Sequence, residues 1–428
     1  MSYKISEVCD INSLNLSKND NLKNINYLDT ANLNVGTVGE LQYMEVGKDK
    51  IPSRAKRIVR KNDILISTVR PNQKHYGIIK NVAKNMVAST GFAVLTPKED
   101  KIDPGYIYNY LIQDHITTYL HSIAESSTSA YPSIKPSVIG DLEVDLPPLE
   151  EQKAIAHILS TLDEKIEINN QINEILENMA QELFKRWFVD FEFPNEDGEP
   201  YQSSGGEMVE SELGMIPKGW EVTRADNIAK INIGKTPPRK KKECFSTNPN
   251  DVKWVSIKDM GVANVYIDKS TEFLTNEAIN EYKVKKVPAD TVLLSFKLTV
   301  GRVAITTSEV TTNEAIAHFN LDDNRLSTEY LYLFLKVFNF DELGNTSSIA
   351  TAVNSKVIKA MKVIVPTEKT AKEFYELITP IFAKIKYLSK ETEVLKNIRD
   401  TLLPKLMSGE LRVPLEELEE SLTEVKGG

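Results

Sequence analysis

The sequence predicts an α+β protein: two mixed α/β domains joined by two long antiparallel coiled-coil helices, with a pseudo-twofold internal repeat. Three observations predict it. First, Glu150 to Phe188 contains neither Pro nor Gly. Within it Ile155, Leu159, Leu162, Ile166, Asn169, Asn173, Leu176, Met179, Leu183 and Trp187 recur at steps of three and four, one stripe on one helix face. At ~1.5 Å per residue that helix is roughly 58 Å long, more than a compact domain needs to bury one of its own helices, so it wants a partner. Second, the partner is in the same chain. At an offset of 219 residues Phe374, Ile378, Ile381, Ile385, Leu388, Thr392, Leu395, Ile398, Leu402 and Leu406 fall opposite those ten positions. Third, each rod is preceded by short apolar, β-branched runs bounded by turn residues, which read as strands.

In chain order, KNDILISTVRP and NMVASTGFAVLTP read as strands, residues 105–125 as helical, SSTSAYPSIKPS as a loop, and VIGDLEVDLPP as a strand leading into the first rod. The order then returns. VIKAMKVIVPTEKT, from Val357, matches VIGDLEVDLPPLEE, from Val138, and TVLLSFKLTVGRVAI echoes DILISTVRPNQKHYGII. The expected divisions are a first domain at 1–148, a first helix at 149–193, a polar linker at 194–216, a second domain at 217–366, a second helix at 367–412 and an acidic tail at 413–428. Thr367 is placed to cap the second helix and Gly409 to close it, with Pro404 expected to kink its last turn. Rods that bury their stripes on each other pair most simply antiparallel, with the two bodies at opposite ends. Asn169 and Asn173 then either fix register on the seam or face solvent.

Composition describes an ordinary soluble chain, 41% apolar and 26% charged over 428 residues. No apolar run approaches ~20 residues and the N-terminus lacks a signal-peptide pattern, so a cytoplasmic location is expected. Cys9 and Cys244 have no CxxC partners and suggest neither a disulfide framework nor a zinc site. The net charge of -9 is unevenly distributed. Residues 147–200 hold 4 basic against 13 acidic side chains, whereas residues 51–100 hold 10 basic against 3 acidic. An acidic rod carries near-neutral bodies, one of them with a strongly basic section, and such a section is compatible with nucleic acid despite the net charge.

PLEEQKAIAHILSTLDEKIEINNQINEILENMAQELFKRWFVDF, SELGMIPKGWEV, IGKTPPRKKK with VKWVSIKDM, LLSFKLTVGRVAI and LLPKLMSGEL, in that order, resemble the specificity (S) subunit of type I restriction-modification systems. The similarity covers essentially the whole chain. It implies two target-recognition domains alternating with two spacer helices, and therefore a bipartite double-stranded DNA target. It further implies two methyltransferase (M) subunits that bring S-adenosylmethionine to adenine N6, optionally two motor-nuclease (R) subunits, and no active site or cofactor in this chain.

The residues agree with that division of labour. There is no P-loop, and the nearest approach to a base-methylation motif, Asn248-Pro249-Asn250-Asp251, lacks its second Pro and its aromatic. The five histidines form no metal-binding spacing. What remains is DNA contact, which needs Lys, Arg and hydroxyls for phosphates and a few Arg, Asn, Gln or Lys for base edges. In the first domain the candidates are Arg54 and Arg57 in a basic turn, and the loop Arg70, Asn72, Gln73, Lys74, His75 and Tyr76. Ser129 and Tyr131 lie in a Ser-rich loop. In the second domain they are Lys235, Thr236, Arg239, Lys240 and Lys241 after Gly234, with Lys258, Lys297 and Arg302 following strands. The bland reading of each is a solvated charged face. The aromatics Trp187, Phe188, Phe191 and Phe193 either pack on a neighbouring domain or receive a partner helix. A free-standing sequence-specific DNA-binding regulator is the alternative function.

Overall fold

The computed structural model describes residues 2–17, 20–127, 131–321, 325–341 and 354–414. Two compact units form, one from Met1–Ile166 with Val394–Gly428, the other from Glu167–Glu393. Both long helices are present, Leu149–Phe188 (40 residues) and Glu368–Ser408 (41 residues). The hydroxyl of Thr367 accepts the Thr370 N–H at 3.3 Å, capping the second helix as its sequence suggests. This helix runs on through Pro404 and ends at Gly409, whose φ of 74° is the left-handed closing conformation. The boundary between units falls inside both helices, because each half-helix packs on a different body.

Within each unit the two helical segments are antiparallel. In the first unit Arg399 bonds Asp163 at 2.8 Å and Arg412, just past the second helix, bonds Glu151 at 2.7 Å. In the second unit Asn169 donates to Glu391 at 2.7 Å and Asn173 to Ser389 at 3.2 Å. Both asparagines are buried, which decides between their two readings in favour of the seam. Two stripe positions require correction: Met179 is 50% exposed and Ile398 is 42% exposed. A helix of 3.6 residues per turn drifts against a 3.5-residue stripe, so the seam passes through Ala180 and Phe184 on one helix and through Arg399 on the other.

The two bodies share a common arrangement and differ in their edge strands. Ser2–Lys4, Ile5–Val8 and Cys9–Ile11 make a strand, a helical turn and a strand, as do Glu221–Arg224, Ala225–Ile228 and Ala229–Ile233. The first strand of each pairs antiparallel with the strand that precedes a long helix, Glu143–Asp145 and Lys362–Val365 respectively. Each body then carries two sheets. In the first unit these are ordered Gln42–Glu45, Asn24–Leu28, Met86–Ser89, Ala55–Ile58, and Cys9–Ile11, Phe92–Pro97, Ile64–Ser67, Tyr76–Ile78. In the second they are Phe245–Ser246, Glu272–Leu274, Val252–Val255, Thr311–Thr312, and Ala229–Ile233, Ile316–Leu321, Val292–Ser295, Val303–Thr306, Tyr266–Ile267.

The helical spacing over 105–125 forms two helices, Pro104–Leu111 and Asp114–Glu125, the second starting after Gln113 in extended conformation. Two expectations change in detail. Residues 194–216 are more than a linker, since Met208–Ser211 and Gly214–Pro217 pair as a hairpin around Gly214 at φ 93°. The stretch read as one strand from Val138 is a short helix, Pro136–Gly140, followed by Glu143–Asp145, and its repeat at Ser355–Lys359 and Lys362–Val365 does the same. The acidic tail from 415 lies outside the described residues.

Each long helix is part of a core. Ala154, Ile155 and Leu159 join Leu406, Tyr106 and Ile139 in the first unit. In the second, Phe188 meets Tyr330 at 4.8 Å and Phe374 at 4.7 Å between ring centroids, and Phe193 stacks on Trp220 at 4.9 Å. The aromatic cluster therefore packs on the neighbouring domain.

Candidate nucleic-acid interface

In the first unit, hydrogen bonds link four separated segments. The Thr90 N–H donates to Arg54 O at 2.8 Å, Thr68 N–H to Gly91 O at 2.8 Å, Arg70 N–H to Pro132 O at 2.8 Å, and Ile134 N–H to Thr68 O at 2.9 Å. Arg70 and Tyr131 thereby become neighbours, and Arg54 joins the same hydrogen-bonded run through Thr90 and Gly91. Arg70, left-handed at φ 48°, opens a 3-10 turn over Pro71–Gln73 and lays its guanidinium over the Tyr131 ring, 5.2 Å from the centroid. Stacking holds the planar fork in one orientation while Asn72 and Gln73 stand exposed beside it.

Other residues of that loop are spoken for. Lys74 pairs with Asp114 at 2.6 Å, and that hydrogen bond holds its amine above the usual range. The His75 ring Nδ1 meets Leu33 O at 2.7 Å. Tyr76 is 7% exposed and packs edge-on against Tyr108, so it belongs to the core and leaves the candidate set. Arg57 bonds Asn15 at 2.6 Å and is half-buried, its guanidinium pKa lowered by desolvation. Ser129 lies outside the described residues.

In the second unit the loop after Gly234 is held against the segment Thr312–Ala315. The Lys235 N–H donates to Thr312 O at 2.9 Å, Thr236 donates its hydroxyl to Glu314, and the Phe296 N–H donates to Ala315 O at 2.9 Å. This brings Lys235 and Lys297 to one place, both exposed. Gly234 is required there, because a Cβ would stand 2.1 Å from Asn313 O. The basic run divides. Arg239 is stacked on Phe245 and Trp254, 4.2 and 4.5 Å from the centroids, and bonds Glu272 at 2.8 and 2.9 Å. Lys241 pairs with Glu281 at 2.9 Å, and its amine pKa is raised by hydrogen bonds to Tyr282 and Glu281. Lys240 is exposed between them. Lys258 is exposed on the short helix Ile257–Val262, which Arg302 ties down by donating to Ile257 O at 2.6 Å.

Two kinds of residue escaped the sequence reading. Glu314 sits among the bases of this loop. Burial opposes its ionisation, but the Thr236 hydroxyl, a backbone N–H, Lys297 and Arg239 outweigh it and hold the carboxyl below the usual range. A carboxylate there can accept from a cytosine amino group. Leu298, 98% exposed, is the other: apolar residues read as core in a sequence, and only the fold shows this one outside. Among the described residues no group of His, Cys, Asp and Glu is arranged to hold a metal ion. No described helix is long and apolar enough to cross a membrane.

Stacked and exposed basic side chains on loops, carried by two similarly built bodies, fit a DNA-reading class of protein. The comparisons agree. The family described as type I restriction modification DNA specificity domain matches residues 1–178 and again 217–397. The chain is 30% identical to the type I restriction enzyme HindI specificity subunit of Haemophilus influenzae, over 90% of this chain and 95% of that one. It is 33% identical to the MjaIX specificity subunit of Methanocaldococcus jannaschii, over 87% and 84%. The crystal structure of a type I system S subunit from M. genitalium shares the fold at a TM-score of 0.57 and 17% identity, covering 95% of both chains. This chain belongs to the family of type I restriction-modification specificity subunits, and is a DNA sequence-recognition component that does not carry the catalysis.

Proposed function

We propose that each body reads one half of a bipartite, asymmetric double-stranded DNA target, and that the two long helices serve as the spacer between the halves. The observation that carries this is the repeat: each body has its own sheet pair and its own loop of exposed basic and polar groups. In the first, Arg70 with Asn72 and Gln73 faces base edges and Arg54 a phosphate. In the second, Lys235, Lys240, Lys258 and Lys297 supply phosphate contacts and Glu314 a base contact.

The partners are two methyltransferase subunits, joined in restriction by two motor-nuclease subunits. Support comes from the helices. Ile168, Ile175 and Met179 are exposed on the first, and their repeat counterparts Tyr387, Val394 and Ile398 are exposed on the second. Repetition of an unburied apolar face in both halves fits one partner helix surface used twice.

The test is a map of N6-methyladenine in DNA from cells expressing this chain with its methyltransferase, repeated after inserting matched residues in both long helices. A bipartite motif whose spacer alone changes is expected. A change in a half-site sequence, or no bipartite motif, would sink the reading.

A further inference from the structure

We infer that Leu298 is a specificity-determining residue of the second body, reading the C5-methyl group of a thymine in the major groove. This rests on the DNA-reading role proposed above for the loops. Strands Ile64–Ser67 and Val292–Ser295 are central in equivalent sheets and each ends on a serine. Three residues beyond those serines stand Arg70 and Leu298. Both are left-handed, at φ 48° and 64°. The repeat therefore gives the two bodies one display position and fills it with opposite chemistries, a stacked guanidinium in one and an apolar tip in the other.

The position is unfavourable for leucine on two counts. It is 98% exposed, and a non-glycine residue with a Cβ is disfavoured in that backbone conformation. The turn that imposes both is tightly built. The Ser295 hydroxyl donates to Thr299 O at 2.6 Å and accepts the Arg302 N–H at 3.0 Å, and the Gly301 N–H donates to Ser295 O at 3.0 Å. Gly301, itself at φ 92°, lets the turn lie against Phe340. Arg302 anchors the base of the turn to Ile257 O at 2.6 Å. A rigid turn thus presents one apolar side chain, flanked by exposed Lys297 and Thr299.

Leucine offers no hydrogen bond, so it cannot read a polar edge. On an undistorted duplex the apolar group available on a base edge is the thymine methyl, which lies in the major groove. Lys297 beside it has the charge to hold a phosphate and set its depth.

The test uses the assembled methyltransferase complex and duplexes carrying the mapped target, with each thymine replaced in turn by deoxyuridine, which removes the methyl group alone. The expected result is a loss of about fourfold in affinity at one thymine of one half-site. In Leu298→Ala that position should bind thymine and deoxyuridine equally, with the melting temperature and the other half-site unchanged. The inference is overturned if no deoxyuridine position matters in the natural chain, or if the penalty persists in Leu298→Ala. A fall in melting temperature with Leu298→Ala also overturns it, since the side chain then has a packing role. So does 2-aminopurine fluorescence that rises on binding through Leu298, which marks unstacking by a wedge. Failure of the complex to bind any mapped duplex would instead sink the DNA-reading role itself.

Discussion

Asn173 donates its amide to the hydroxyl of Ser389 at 3.2 Å across the buried seam of the second unit, while its own Oδ1 has no protein partner. Ser389 is also bonded to Ile385 O at 2.8 Å, so it keeps a partner if Asn173 is removed. Asn173→Leu is therefore expected to stabilise the protein by about 1 kcal/mol, read as a higher urea midpoint. Asn169→Leu should gain less or lose, because it deletes a hydrogen bond to a charged acceptor, the Glu391 carboxylate at 2.7 Å. A lower midpoint for Asn173→Leu would show that the polar seam is a net stabiliser.

Arg239 and Lys240 are adjacent in sequence and differ in what holds them. Lys240→Ala should leave the melting temperature alone and reduce the slope of log affinity against log salt by about 0.9, the signature of one lost phosphate contact. Arg239→Ala removes the stacking on Phe245 and Trp254 and should lower the melting temperature instead. Titration of both variants against target DNA at several salt concentrations, beside thermal melts, separates the two.

His318 is buried with its Nε2 2.6 Å from the Thr312 hydroxyl. Burial first, and the Lys285 charge second, push its pKa down from 6.5 to about 4. Between those values the unfolded chain binds a proton that the folded chain refuses, so stability is complete above pH ~6.5 and falls as pH drops towards ~4. The loss amounts to about 3 kcal/mol at most. Urea midpoints measured from pH 7 to 4 should show this slope, and His318→Asn should flatten it.

Glu177, on the first long helix, is already answered inside the protein. It accepts the Tyr332 hydroxyl at 2.7 Å and pairs with Lys336 at 3.0 Å within its own unit. Met179→Asp and Ile398→Asp, at exposed positions, are expected to weaken methyltransferase assembly at least tenfold without a change in melting temperature. Co-purification and calorimetry would check it, and unaltered assembly would remove the exposed apolar face from the interface.

The long helices, their antiparallel pairing and the repeat were legible because a stripe of apolar residues at helical spacing, repeated at offset 219, leaves few other ways to bury it. The helix ends at Thr367 and Gly409 were legible for the same local reason. Met179 and Ile398 were misplaced because a drift of ~20° per heptad accumulates along a rod, and which neighbour wins is settled by the facing side chains. The basic loops were found by composition, but composition does not distinguish a charge facing solvent from one already answered.

By itself, then, the sequence determined the order body, rod, body, rod and the loops that carry the basic and polar candidates. Only the tertiary structure decided that Arg239 and Lys241 are answered by Glu272 and Glu281, that Tyr76 is core, and that Leu298 is outside. Periodicity is written along the chain and survives without coordinates. The partner of a charge, or the cover over a side chain, comes from residues tens of positions away, and only the folded backbone brings them within reach.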